Sequence, residues 1–268
     1  MSLSVLAEER KMCILEWLER EGKVMVVPLA AHLDVSTETV RRDMAALEKE
    51  GLLKRVYGGA IKPTFRTDEA PYSMRQKVNF EEKRAIGRMA AEMIQDGSTI
   101  AIDEGTTPLE LARAIQGRKR LTVLTNSLPA AVCLLESLSQ DKFSGKVILL
   151  GGEVNPEQQA ANGPLSERIA REFRVDQAFL SVGGITLTHG ITDYDLNEAS
   201  MSRTLAEAAQ EVIVLADRSK IGISTFAHML PIEQADVIVT DAPCPADWTA
   251  ALEEKGVLWV QAPVKEDS

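Results

Sequence analysis

An α/β protein in two parts is what the 268-residue sequence predicts, and three observations carry that prediction. From residue 98 onward, short β-branched runs alternate with helical segments. Continuous apolar strands separated by helices mean a mostly parallel sheet buried on both faces. Residues 8–61 carry three short helical patterns followed by two strand-like runs. Between the two parts, KPTFRTDEAPYSMRQKVN (62–79) has two prolines and no period. The expected division is 1–61, a linker or an arm lying across the second domain at 62–79, and an α/β domain at 80–268.

Taken in order, EERKMCILEWLERE (8–21) places Met12, Ile14, Leu15 and Leu18 at helical spacing, with acids in the first turn and Gly22 as a stop. VVPLAAHLD (26–34) predicts a short second helix with Pro28 tolerated near its start. A two-residue turn, Val35-Ser36, leads into a third helix with Ser36 as N-cap, ending at Gly51. Val40, Met44 and Leu47 fall at i, i+4 and i+7 and form its apolar stripe. The other face carries Thr37, Thr39, Arg41 and Arg42. LLKRVYGGAI then reads as two short strands turning around Tyr57-Gly58-Gly59 or just before. Three helices and a strand pair make a winged helix-turn-helix. Guanidiniums fork onto guanine or phosphate, and hydroxyls bond backbone or base edge, so this face suits a major groove.

Composition sets the bounds. Apolar residues are 45% and charged residues 26%, ordinary for a globular protein. No apolar run approaches the roughly 18 residues of a membrane span. MSLSVLAEERK has neither the basic start nor the apolar region of a signal peptide, so a cytoplasmic protein is expected. Cys13, Cys133 and Cys244 are scattered, without CxxC or a nearby His, so neither a metal, a cofactor nor a disulfide frame is expected. The net charge of −10 argues at first against nucleic acid. Its distribution matters more: residues 1–62 hold ten Lys/Arg and ten Asp/Glu, and the rest carries the whole excess. Arg41, Arg42, Lys54 and Arg55 then form a basic edge on an acidic body.

A helix over about 80–96 opens the second part. Strands are expected at 98–103, 121–126, 146–152, 177–184, 211–217, 236–241 and 257–261. Helices are expected at 108–115 (with Pro108 first), 128–138, 164–173, 196–210 and 246–255. In such a sheet, ligands bind beyond the carboxyl ends of the strands. There the sequence places Asp103-Glu104-Gly105-Thr106-Thr107, Thr125-Asn126-Ser127, Gly151-Gly152, Gly183-Gly184 and Asp217-Arg218-Ser219-Lys220. Gly105 with the Thr106 and Thr107 hydroxyls at a helix start suits an anion. Carboxylates suit sugar hydroxyls, so together the set fits a sugar phosphate. Singly, each cluster reads equally well as a turn, a cap or a solvated charge; Asp193, Asp195 and Glu198 read as a solvated helix entrance.

The first 60 residues resemble the DeoR family of bacterial transcriptional regulators. The carriers are Arg10 with Ile14 and Leu18, then STETVRRDM (36–44) and RVYGGA (55–60). DEGTT, LTN, LLGG, DQAFLSVGGI, GITD, NEA and DRSKIG follow the pattern of that family's sensor domain, so the likeness spans about 8–240. The resemblance implies a sensor domain similar to ribose-5-phosphate isomerase and the CoA-transferases. It implies a repressor of a sugar or polyol catabolism operon, acting on double-stranded operator DNA as a homodimer or homotetramer and released by a phosphorylated sugar. By matching motif, Ser36, Thr37, Thr39, Arg41 and Arg42 touch DNA, with Arg55 and Tyr57 on the wing. Thr106, Thr107 and Lys220 hold the phosphate. Asp103, Asn126, Glu198 and Asp217 hold the sugar or close the site, with Gly105 and Gly152 in the loops. Glu104 departs from the small residue common there, and would either repel a phosphate or bond an extra hydroxyl. Arg218 offers a further phosphate contact. The alternative is a sugar-phosphate isomerase-like enzyme with an appended DNA-binding module, using Asp103, Glu104, Asp217 and Lys220. Against it stand the lack of a nucleophile elbow, a Cys/His pair or a metal-ligand cluster, so no catalytic residue is assigned.

Overall fold

The computed structural model describes residues 7–49, 53–61, 69 and 71–264, in two units divided after Arg66. The first unit runs α1 (Ala7–Glu21), β1 (Lys23–Met25), α2 (Val26–His32), α3 (Thr37–Lys49), β2 (Lys54–Val56) and β3 (Gly59–Ile61). Ile14 and Leu18 lie one turn apart on α1 and meet Leu29, Val40, Met44, Leu47, Leu53 and Ala60 in one core. A charged contact braces it: Arg10 Nε donates to Asp43 Oδ2 at 2.8 Å, with Asp43 buried, and so ties α1 to α3. The wing has three antiparallel strands in the order β1-β3-β2, with the turn at Tyr57-Gly58. Strand β1 was not legible, because Lys23-Val24-Met25 is too short to show alternation. The expected end of α3 at Gly51 lies outside the described residues, as do 62–68 of the connecting stretch.

The second unit begins with α4 (Tyr72–Arg75) and α5 (Phe80–Glu92). Then come β4 (Thr99–Ile102), α6 (Thr106–Ala114), β5 (Leu121–Thr125), α7 (Leu128–Ser139), β6 (Gly145–Leu149), β7 (Glu153–Asn155) and β8 (Ala160–Asn162). They are followed by α8 (Pro164–Ala170), β9 (Val175–Leu180), β10 (Gly184–Thr186), β11 (Gly190–Asp193), α9 (Leu196–Ala208) and β12 (Ala209–Leu215). β13 (Ala227–Leu230), β14 (Val237–Thr240), α10 (Thr249–Lys255) and β15 (Leu258–Gln261) end it. Seven strands pair in parallel in the order β15-β14-β12-β9-β4-β5-β6. Their alternation splits the core in two. Ile100, Ile102, Phe179, Ile213 and Val239 face α5, α6 and α7. Ala101, Leu180, Val214 and Ile238 face α9 and the second, antiparallel sheet β10-β11-β13.

Strand order reverses at β4: the chain builds outward through β5 and β6, then returns to place β9 on the other side. Such a switch point opens a crevice at the carboxyl ends of the strands. The sheet β10-β11-β13 and the hairpin β7-β8 were not expected; three- and four-residue strands carry too little pattern. Helix α6 starts at Thr106, so Pro108 is its third residue and not its first. Residues 72–79 lie on this unit, with Tyr72 buried in the core beneath α5 and α6.

Helices α5 and α6 touch at Gly87, where an added Cβ would sit 2.4 Å from the Glu110 carbonyl carbon and 2.6 Å from the Leu111 nitrogen. Backbone cannot yield as a side chain does. Gly87→Ala is therefore expected to cost about 2 kcal/mol or more, read as a lower midpoint in thermal unfolding; an unchanged midpoint would mean the crossing is looser than this.

Candidate functional site

On the first unit, the sequence assigns a face to α3 and the wing. Ser36 Oγ accepts from Thr39 N at 3.1 Å and pairs with Thr39 Oγ1 at 2.9 Å, so these two hydroxyls close the helix start. Thr37 is half-buried, while Arg41 and Arg42 are exposed. Arg41 lies 3.7 Å from Glu38, both side chains in solvent, a contact worth little. Arg55 donates its backbone N–H to Glu48 Oε1 at 2.8 Å, which anchors the wing to α3. Tyr57 stands fully exposed at the tip of the turn.

On the second unit, the site forms where β4 and β9 diverge. Asp103 follows β4 and is wholly buried. Its Oδ2 accepts from Ser202 Oγ at 2.6 Å and from Ser181 N at 3.3 Å, and its Oδ1 from Glu104 N at 2.9 Å. One carboxylate thus joins the ends of β4 and β9 to α9. Gly105, at φ +122°, lets the chain turn into α6; a Cβ there would meet Ser181 Oγ at 2.4 Å. A small cavity here is lined by Asp103, Glu104, Gly105, Ser181, Asp193, Glu198, Ser202, Glu69 and Arg75. Thr106 and Thr107, both buried, form the first turn of α6 beside it. The N–H groups of such a turn have no partner within the helix.

Hairpin β7-β8 is pinned over the end of β5, through Leu128 N to Gln159 O at 3.0 Å and Ala161 N to Asn126 O at 2.9 Å. It brings down Asn162, which accepts from Asn126 Nδ2 at 3.1 Å and donates to Glu104 Oε1 at 2.9 Å. The relay ends in two orphans: Glu104 Oε2 and Asn126 Oδ1 are buried without a hydrogen-bond partner. Gly152 lies outside the cavity lining, packed against the Asn162 carbonyl and Ser166.

Lys220 ends a single 3-10 turn, Arg218–Lys220, that follows β12. Its Nζ lies 3.5 Å from Glu69 Oε1 and 5.2 Å from the centre of the Tyr194 ring. Asp217 is committed elsewhere: it accepts from Ser219 N at 2.9 Å and from Asn79 Nδ2 at 3.0 Å. Arg218 turns away from Lys220, its Nε bonded to the buried Asp241 carboxylate and its other end 3.9 Å from Glu82. Arg218 is thus engaged by Asp241 and Glu82, on the side away from Lys220.

Four buried carboxyls share this cavity, and each is held above the usual carboxylate range. Burial pushes Asp103 up to about 6, against the pull of Ser202 and two backbone N–H groups. Burial and then the Glu69 carboxylate push Asp193 up to about 7. Burial, Asp193 and Glu69 push Glu198 up to about 9. Glu104 is raised by burial, then by Glu198 and Asp103. Burial acts to lower Lys220, but Glu69, Tyr194, Asp217 and Asp193 outweigh it and the ammonium is held above its usual range. Lys83 is the opposite case: burial brings it down to about 8, and its Nζ donates to the carbonyls of Arg75 at 2.6 Å and Val78 at 2.7 Å.

Of the sequence-derived set, Asp103, Gly105 and Glu198 line the cavity, with Thr106 and Thr107 beside it. Asn126 reaches it through Asn162, and Lys220 through Glu69. Sequence reasoning missed Glu69, Arg75, Asn162, Ser181 and Ser202, and Asp193, read as part of a solvated helix entrance, is buried. Only Ser202 left a signal, standing one helical turn beyond Glu198.

A winged helix-turn-helix joined to a domain with a polar crevice at its switch point defines a DNA-binding regulator that carries a sensing module. Residues 10–65 match the DeoR-like helix-turn-helix domain, and residues 78–242 match the DeoR C-terminal sensor domain. The chain belongs to the DeoR family of transcriptional regulators. It is 33% identical over 235 residues to the HTH-type transcriptional regulator GolR of Listeria innocua, covering 87% of this chain and 90% of that one. It is also 33% identical over 232 residues to the glycerol-3-phosphate regulon repressor of Escherichia coli K12, covering 87% and 90%. Among solved structures, ribose 5-phosphate isomerase A from Methanocaldococcus jannaschii aligns with 53% of this chain and 55% of its own, at a TM-score of 0.38 and 16% identity. The family and the curated relatives are regulators and not enzymes. No helix among the described residues is long and apolar enough to cross a membrane.

The raised carboxyls set the sign of a pH effect. A folded-state carboxyl with a raised pKa keeps its proton after the unfolded chain has released it, so stability is lost as pH rises from the ordinary carboxylate range to about 9 for Glu198. Glu198→Gln is expected to unfold at a higher temperature than the wild type at about pH 8.5, the gain vanishing near pH 4. Equal midpoints at the higher pH would show that the Glu198 carboxyl ionises there without penalty.

Proposed function

We propose that the protein is a sequence-specific repressor whose larger unit binds a phosphorylated sugar or polyol and whose smaller unit reads operator DNA. The relay Asn126–Asn162–Glu104 carries the effector reading. It leaves two buried oxygens without a partner, and such atoms cost free energy unless a ligand or water satisfies them. A polyol hydroxyl both donates and accepts, so it serves the Asn126 amide oxygen and the Glu104 carboxyl in either protonation state. The phosphate goes to the first turn of α6, at Gly105, Thr106 and Thr107, with the Lys220 ammonium as counter-charge. Asp103, Glu104 and Glu198 take sugar hydroxyls, while Asp217 closes the site by holding Asn79. Glu104 narrows the choice toward effectors with a hydroxyl, and no phosphate, at its end of the cavity.

On DNA, Arg41, Arg42 and Thr37 are the groups offered to base edges and phosphates. Ser36 and Thr39 shape the helix start, and Arg55 and Tyr57 serve on the wing. A homodimer or homotetramer would present two such faces to paired half-sites. The repressor sign follows the relatives that are named as repressors.

The test is fluorescence-polarisation binding of the protein to its own upstream intergenic DNA at fixed salt, titrated with a panel of sugar phosphates. One compound is expected to release the complex. Arg41→Ala should weaken operator binding by roughly tenfold to a hundredfold and leave effector binding intact. Lys220→Ala should keep operator affinity and lose the effector response. Retained specific binding by Arg41→Ala would remove it from the reading face, and an unchanged dose response in Lys220→Ala would remove that residue from the site.

A further inference from the structure

Glu69 stands where an incoming anion would be most useful. Its Oε1 lies 3.1 Å from Arg75 Nη1 and 3.5 Å from Lys220 Nζ, and its Oε2 accepts from Gln158 Nε2 at 3.1 Å. The side chain is buried, at 8% exposure, and lines the same cavity as Asp103, Glu104 and Glu198. Arg75 and Gln158 also bond each other, so the pocket for this carboxylate is built and closed. Two cations and an amide around one carboxylate are equally a receptor for a phosphate. The Arg75 fork suits phosphate oxygens better than a lone carboxylate oxygen.

We infer that Arg75, Lys220 and Gln158 form an anion subsite whose resident occupant is Glu69, and that the ligand phosphate bound at the first turn of α6, which lines the same cavity at Gly105, displaces it. The inference rests on the effector reading above and adds the charge balance that the reading requires. Asp103, Glu104, Asp193 and Glu198 already crowd the cavity. A dianionic phosphate added while Glu69 stays would meet its carboxylate beside four buried carboxyls, with Arg75 and Lys220 already engaged. With Glu69 gone, the phosphate takes its place between Arg75 and Lys220. The two occupants therefore exclude each other.

Displacement has a direction. Seven residues separate Glu69 from Ile61, the last residue of the wing strand β3. Past Glu69, the arm is held by Tyr72 N to Glu157 O at 3.3 Å, by Lys83 on the Arg75 and Val78 carbonyls, and by Asn79 on Asp217. Losing the Glu69 contacts removes the first of these ties in chain order. By linkage, whatever tightens the arm weakens the ligand, and the ligand loosens the arm.

Inorganic phosphate is the probe, titrated calorimetrically at constant ionic strength into full-length wild type, Glu69→Gln and Lys220→Ala. Deuterium uptake over residues 71–79 is followed in the same samples. Glu69→Gln is expected to bind phosphate about tenfold tighter than the wild type, the scale of one lost charged competitor. Its arm should exchange faster without ligand, phosphate should speed exchange in the wild type, and Lys220→Ala should bind weakly. Glu69→Ala must give the same order, which separates competition from a misfolded substitution. If neither Glu69 variant binds tighter while Lys220→Ala loses binding, Glu69 is not an occupant and the sugar-phosphate reading survives. If phosphate binds to none of them, this inference falls, and the sugar-phosphate reading is decided by its own titration. If the order holds but no sugar phosphate moves the operator complex, the anion subsite stands and the effector reading falls.

Discussion

Covering a parallel sheet on both faces leaves polar chemistry the two ends of its strands, and the site lies at the carboxyl end. The strands of the larger unit are apolar on both sides, so hydroxyls and carboxyls collect where the strands end. The reversal of strand order between β4 and β9 turns that edge into a crevice. Asp103 is the pin: one buried carboxyl bonded to Ser181, Ser202 and the Glu104 amide ties the ends of β4 and β9 to α9. The other features of the site hang from this arrangement, because Gly105 can enter α6 only against Ser181.

The same burial gives the cavity its electrostatic character. Carboxyls removed from water hold their protons, which is why Asp193 and Glu198 lie so far above the usual range. Such a cavity is unstrained when neutral and costly when every carboxyl is charged. Arg75 and Lys220 offset part of this, and both are engaged by Glu69. A polar ligand entering here rearranges an existing balance and does not fill a neutral hole. Sensing by a shift between two charge arrangements needs the ligand to favour one of them, which displacement supplies.

The smaller unit is built on a different economy. Among the described residues a dozen buried apolar side chains make a modest core, and the Arg10–Asp43 pair adds a directed tie between α1 and α3. That tie sits on the buried side of α3, at Asp43, next in sequence to the exposed Arg42. The residues that fix the helix and those that it presents are therefore interleaved along one short segment. Ser36 and Thr39 belong to the first group through their mutual cap, Arg41 and Arg42 to the second.

Local rules determined much of this protein from sequence alone. The 3.6-residue stripe Val40-Met44-Leu47, the cap at Ser36 and the turn at Tyr57-Gly58 were legible because each depends on neighbours within a few positions. Continuous runs such as EVIVLAD announced buried parallel strands, and DEGTT announced a loop at a strand end, because both are contiguous. Only the tertiary structure decided which polar residues meet. Glu69 and Arg75 lie in a stretch with no period, and Asn162 sits on a strand too short to show one. Ser202 joins Asp103 across ninety-nine positions. Arg218 and Lys220 are two residues apart in one loop, yet one turns to Asp241 and the other to Glu69. Sequence spacing records which side a residue takes on its own element. Pairing between elements depends on topology, and here the reversal of strand order at β4 determined it.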